Sequence, residues 1–191
     1  MKKILFFVYP HFADFEIAHT LFLLRKLGNS EIVTVSIDGK AVESLGGLFV
    51  QAKYALNEIE VDAFDLVLVS GGDGVDQLID NSAVVKMFTS AHQYHIPIAA
   101  MCASALLMAK AGVLDDKKFT CLPHTYRNHK SLFKNSIYTG NDVAISESII
   151  TAKGTAFAEF AVSVCKLIGL LSDDKQYSSM LNFCKGITER S

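Results

Sequence analysis

Pro97-Ile-Ala-Ala-Met-Cys-Ala-Ser-Ala-Leu-Leu-Met-Ala109 changes character in its middle. Residues 98–101 form a short apolar run, the pattern of a strand buried on both faces. Residues 104–111 read as a helix, which Gly112 ends. Cys102 falls on the turn between the two. A side chain on such a bend is held outward, and the backbone N–H groups after it are free, because no preceding turn accepts from them. Those N–H groups and the helix dipole favour an anion, either a thiolate or a developing oxyanion. Residue type and position together make a nucleophile elbow. A structural cysteine in a tight junction fits the same segment, since cysteine is also a small, readily buried hydrophobe.

Similar apolar runs recur along the chain, with helical patterns between them. Residues 4–8, 31–37, 66–69 and 118–120 read as strands. Residues 14–27 read as a helix that Asp14 caps and Gly28-Asn29 stop. Residues 82–94 and 157–171 read as further helices. Residues 41–51 form a hairpin turning at Gly46-Gly47, and 143–146 with 149–151 form a second one. Continuous apolar strands alternating with helices predict an α/β fold: a mostly parallel sheet covered by helices on both faces. The hairpins would add antiparallel strands at an edge. No linker, repeat or low-complexity tract interrupts the pattern, so residues 1–191 read as a single domain.

Composition excludes several functional classes. Half of the residues are hydrophobic and a fifth charged, which is globular and not disordered. The net charge is −2 and no Lys/Arg cluster exceeds two residues, so neither a nucleic acid nor a membrane surface is an expected partner. No apolar stretch approaches the ~20 residues of a membrane span. The start, Met1-Lys-Lys-Ile-Leu-Phe-Phe-Val8, is too short before Pro10-His11 for an export signal, and a cytoplasmic location is expected. Cys102, Cys121, Cys165 and Cys184 have neither Cys-x-x-Cys nor zinc-type spacing, so free thiols are expected and no metal. Cys165 shares a helical face with Ala158, Ala161, Val162 and Ile168 and reads as core.

In parallel sheets, sites form beyond the carboxyl ends of the strands. Tyr9 to Glu16, Ser70 to Gly74, Cys102, and Cys121 to His124 all lie there. Gly71 and Gly72 follow a buried strand; their N–H groups, with that of Ala103, could form an oxyanion hole, although a glycine turn after a strand is also ordinary turn geometry. Glu16 sits in the first turn of the first helix, where a capping role is the plain alternative. Buried beside Cys102, it would hold its proton and hydrogen-bond the sulfur as a neutral acid. His124 follows a strand and either joins this edge or faces solvent. His92 and His95 lie at a helix end and read as surface histidines.

The order of Glu16, Ser70-Gly-Gly72, and Ala99-Ala-Met-Cys-Ala-Ser-Ala-Leu-Leu107 resembles the ThiJ/PfpI superfamily. This is the parkinsonism-associated deglycase group, a branch of the class I glutamine-amidotransferase-like fold. Lys153-Gly-Thr-Ala-Phe-Ala-Glu-Phe-Ala161 looks like its late glycine turn and helix. The resemblance spans residues 4 to about 170. It implies a flavodoxin-like three-layer sandwich, a homodimer, and no obligatory cofactor. It also implies that Cys102 is the reactive cysteine, Glu16 its acid partner, and Gly72 and Ala103 the oxyanion-hole positions. Ala103 stands where the protease branch carries histidine, which speaks against a protease triad. Leu122 stands where the deglycase branch carries histidine, and His124 lies two residues on. Phe12-Ala-Asp-Phe-Glu16 looks most like a little-characterised bacterial subgroup.

Two functional readings follow. In one, Cys102 attacks an electrophilic carbon of a small molecule or a modified protein side chain. Glyoxal-type aldehydes, amides and isonitriles are its substrate classes. In the other, Cys102 is an oxidative-stress sensor or chaperone-like switch that oxidises without turnover, with Cys121 as a resolving thiol only if it lies close.

Overall fold

Leu66-Val-Leu-Val69 is fully buried, with no exposed atom on any of its four side chains. Such a strand needs helices on both faces and neighbours on both edges, and it has them. Residues 1–187 are described by a computed structural model. The chain runs β1 (Lys3–Phe7), α1 (Asp14–Gly28), β2 (Glu31–Ser36), β3 (Val42–Glu43), β4 (Phe49–Val50) and β5 (Tyr54–Ala55). It continues through β6 (Leu66–Val69), α2 (Ser82–Gln93), β7 (Ile98–Met101), α3 (Ala105–Lys110), β8 (Lys118–Phe119) and α4 (Pro123–Asn128). β9 (Ile137–Tyr138), β10 (Val143–Ser146), β11 (Ile149–Ala152), α5 (Phe157–Leu167) and α6 (Asp174–Cys184) complete the described part.

The central sheet has the order β10-β11-β7-β6-β1-β2-β5 and is parallel except for edge strand β10. The register places Phe7 beside Val69, and Val69 beside Ala100, so β1, β6 and β7 end side by side. The crossover from β1 runs towards β2, while that from β6 runs the opposite way, to β7. Right-handed crossovers therefore set α1 and α2 on opposite faces. α5 and α6 join α1 on its face, and α3 packs with α2 on the other. The result is the expected three-layer, flavodoxin-like α/β sandwich. Between β1 and β6 the direction of winding reverses, and a crevice opens at the strand ends.

Several details differ from expectation. The hairpin at Gly46-Gly47 forms, with Val42 facing Val50, but it is a separate two-stranded sheet and not an edge of the main one. Asp14 is the first residue of α1 and not its cap, which is Ala13; the Asp14 carboxylate instead accepts from the Gly46 N–H at 2.9 Å. The helix ends on Asn29, whose left-handed backbone (φ 45°) supplies the stop, with Gly28 still inside. The late helix stops at Leu167 because Gly169 turns left-handed (φ 77°). β5 and α4 carry no periodic signal and were not anticipated; each is six residues or fewer and held by its neighbours. Among the described residues, no helix is long and apolar enough to cross a membrane.

Candidate active site at the strand ends

Cys102 sits where the elbow predicts. β7 delivers it from a fully buried strand, and residues 102–104 make one 3-10 turn before α3 begins at Ala105. Its backbone is left-handed (φ 53°), a conformation that costs an L-residue roughly 1–2 kcal/mol. This strain is what throws the side chain off the strand axis. Of the four thiols, all unpaired, Cys102 is half-buried and the other three are buried.

The bend brings Cys102 against Glu16, far away in sequence but adjacent in the crevice. Glu16 is only 3% exposed. It sits in the first turn of α1, and its Oε2 accepts the Gly71 N–H at 2.8 Å. Its carboxyl and the Cys102 side chain border the same two glycines, Gly71 and Gly154, close enough for each to shift the other's hold on its proton. Burial pushes its carboxyl above the usual carboxylate range, while Gly71, Cys102 and Ser70 hold it partly down. Burial and the charge of an ionised Glu16 push the Cys102 thiol up to about 12, against the pull of the Ala103 and Gly154 N–H groups. The helix-terminus N–H donors expected to favour a thiolate are thus present, but burial first, and then an ionised Glu16, outweigh them. A neutral Glu16 removes that opposing charge and adds a donor. The two groups accordingly hold one proton between them when either is charged, and titrate as a pair.

Two glycines make the pairing possible. A methyl group on Gly71 would lie 2.5 Å from Cys102 Cβ and 2.6 Å from Glu16 Oε2. One on Gly154, in the turn after β11, would lie 3.1 Å from Cys102 Sγ and hard against Glu16 Oε1. Gly154 belongs to the late glycine turn noted in the sequence, yet nothing local marked it as a wall of the site. Gly72 runs beside Phe12 with a backbone (φ 143°) that only glycine adopts easily. Its N–H donates to no protein acceptor among the described residues, as an oxyanion donor requires. Gly72 and Ala103 both open onto a cleft of about 330 Å³, whose walls include Asp73, Leu106, His124 and His129.

His124 is placed only in part as expected. It lies in the first turn of α4, not in a loop, because Pro123 at the helix start fixes the turn. It is exposed across the cleft from Gly72 and Ala103, and it makes no hydrogen bond to Cys102 or Glu16 among the described residues. Cys121 is wholly buried, its Sγ on the Leu122 carbonyl at 3.5 Å, which does not suit a resolving thiol. Cys165 is core, as its helical face implied. Among the described residues, no three metal-binding side chains cluster.

Sequence reading missed the support beneath the crevice. The Ser70 carbonyl accepts from Tyr9 Oη at 2.8 Å and from Ser104 Oγ. All three residues are buried. Tyr9 follows β1 and Ser104 follows Cys102 in the elbow, but nothing in the linear order indicated a shared acceptor.

The fold agrees with known proteins. The chain superposes on the DJ-1 superfamily protein Atu0886 of Agrobacterium tumefaciens with a TM-score of 0.84, covering 97% of this chain and 99% of that one at 24% identity. That likeness establishes the fold. The uncharacterized protease YdeA of Bacillus subtilis is 29% identical over 169 residues, 88% of this chain and 84% of the relative. The glutathione-independent glyoxalase DJR-1.2 of Caenorhabditis elegans is 24% identical over 156 residues, 81% of this chain and 80% of the relative. Residues 2–167 match the DJ-1/PfpI family, and the chain belongs to it.

Proposed function

We propose that the protein is a cofactor-independent cysteine enzyme that attacks an electrophilic carbon, with glyoxal-type aldehydes or their adducts as substrate. One observation carries this: a carboxyl buried against the half-buried Cys102 thiol, with a Gly72 N–H that has no protein acceptor among the described residues and an open cleft beside it. In the reading, the proton shared by the pair rests on Glu16, and the Cys102 thiolate adds to the aldehyde carbon. The carbonyl oxygen becomes an alkoxide, which the Gly72 and Ala103 N–H groups hold. Glu16 protonates it, giving a hemithioacetal. For a 2-oxoaldehyde, the Glu16 carboxylate then takes the proton from that carbon and returns it to the neighbouring carbon, while the hydroxyl proton passes to the neighbouring oxygen, leaving a thioester of a 2-hydroxy acid. Water hydrolyses the thioester, restoring the thiol and releasing the acid. In this reading His124, on the cleft wall, takes the proton of that water. A protease triad is not supported, because Ala103 occupies the place beside the nucleophile.

Methylglyoxal consumption tests the reading. Wild-type protein should turn it over, and Cys102→Ala should lose at least ~10²-fold while keeping its circular dichroism. Unchanged turnover in that variant contradicts the proposal.

The exposure of Cys102 among otherwise buried thiols also favours a second reading, an oxidation sensor. Peroxide oxidation confined to Cys102, with no turnover of aldehyde, amide or isonitrile, would select it. We further propose a homodimer in the cytoplasm, the dimer being what the family resemblance implies. Sedimentation giving a 20.9 kDa monomer would contradict the dimer.

A further inference from the structure

The Ser70 carbonyl and the Gly71 N–H belong to one peptide group. On its oxygen side it accepts Tyr9 Oη at 2.8 Å and the Ser104 hydroxyl. On its nitrogen side it donates to Glu16 Oε2 at 2.8 Å. The next peptide is also fixed, since the Gly71 carbonyl accepts the Ala13 N–H at 2.7 Å. Ser70 Oγ lies near both the Ala13 carbonyl and Glu16, and its 2.6 Å bond to Ala13 takes its proton. Tyr9, Ser70, Ser104 and Glu16 are all at most 3% exposed, so water does not dilute the chain of bonds. Donors on a carbonyl oxygen polarise its amide and make the attached N–H a stronger donor.

We propose that Tyr9 and Ser104 are positioning residues that act on Glu16 through the Ser70–Gly71 peptide, setting how readily Glu16 takes the proton it shares with Cys102. Burial keeps the Tyr9 hydroxyl protonated at all working pH, so it acts as a constant donor. The other ionisable neighbours are few. Cys102 faces Glu16 from the elbow, and Asp73, beyond β6, reaches Tyr9. Lys153, before the Gly154 turn, is held 3.1 Å from Asp142. His19, one turn along α1, stacks on Phe157. The inference rests on the Glu16–Cys102 pair of the proposed function but not on any substrate.

The sign is fixed by the geometry. The Gly71 N–H stabilises the carboxylate form of Glu16. Weakening it leaves the proton on Glu16 more often and leaves Cys102 as thiolate more often. Tyr9→Phe keeps the ring, and Ser104→Ala keeps the turn. Each should move the Glu16 midpoint, read by carboxyl-carbon NMR with Glu16→Gln as the assignment control, up by about half a pH unit. Each should also speed iodoacetamide alkylation of Cys102 at neutral pH about threefold. In a Glu16→Gln background, Tyr9→Phe should leave alkylation unchanged. Ser163→Ala, which removes a comparable hydroxyl contact 3.2 Å from Tyr177 on the α5–α6 side, should change neither readout in the native background. An unmoved Glu16 midpoint in both variants overturns the inference, as does an alkylation change that persists without Glu16. Should Glu16→Gln itself alter Cys102 alkylation while Tyr9→Phe and Ser104→Ala do nothing, the pair stands and only the network falls.

Discussion

At the scale of single residues, Cys102 and Glu16 each stand in a state that the rest of the molecule must maintain. The left-handed backbone of Cys102 disfavours every residue except glycine. Cys102→Gly should therefore be more stable than Cys102→Ala by about 1 kcal/mol, by urea denaturation. Glu16 has its folded carboxyl raised by burial. A group raised on folding contributes its full share below its unfolded value, about 4.5, and that share is lost as pH rises through the folded value. Glu16→Gln should accordingly gain stability relative to wild type as pH rises from 4 to 8. A difference of about 2–4 °C in Tm at pH 8 that vanishes near pH 4 is expected in thermal melts. Both residues were legible in the sequence because each carries its own chemistry. Tyr9 and Ser104 were not, because a hydroxyl acquires its role only from the acceptor that folding places beside it.

At the scale of elements, periodicity located what is long and regular. Residues 66–69 and 82–94 were read almost to the residue, since apolar runs and helical stripes carry their own signal. Where backbone geometry decides an end, composition misled. Asn29 rather than Gly28 takes the left-handed stop of α1, and Gly169 cuts α5 short. Asn29→Ala should cost about 1 kcal/mol by the same urea measurement. The turn after β11 was seen as a glycine motif but not as part of the site, because its partners are far away in sequence. Gly154→Ala leaves backbone geometry permitted yet drives a methyl into the space of Glu16 and Cys102. It should hold its fold by circular dichroism and lose Cys102 reactivity towards iodoacetamide at least about tenfold. A reactive Gly154→Ala protein would mean that the turn does not wall the site.

At the scale of the whole molecule, the parallel sheet does two jobs with one architecture. It buries the C-terminal ends of β1, β6 and β7 completely, and it reverses winding between β1 and β6 so that three loops meet there. Leu68, fully buried in β6, should cost about 2–5 kcal/mol when cut to alanine, seen as a lower urea midpoint. The eight ion pairs of the described residues are on or near the surface, so they add little to this core. The order of strands and helices predicted the layers, and the rule that sites form at strand ends predicted where the residues converge. What the linear chain left open was whether Glu16 is buried against Cys102; folding buries it there, and burial raises its hold on its proton.

The pH dependence of Cys102 alkylation, followed by intact mass in wild type and Glu16→Gln, tests the central claim that these two groups share a proton. The account predicts two steps in the wild type: a reactive plateau around neutral pH, then a further rise towards the alkaline end as the thiol beside an ionised Glu16 titrates near 12. Glu16→Gln should show a single step. One identical step in both proteins would contradict the coupling and leave Cys102 an ordinary thiol on a strained turn.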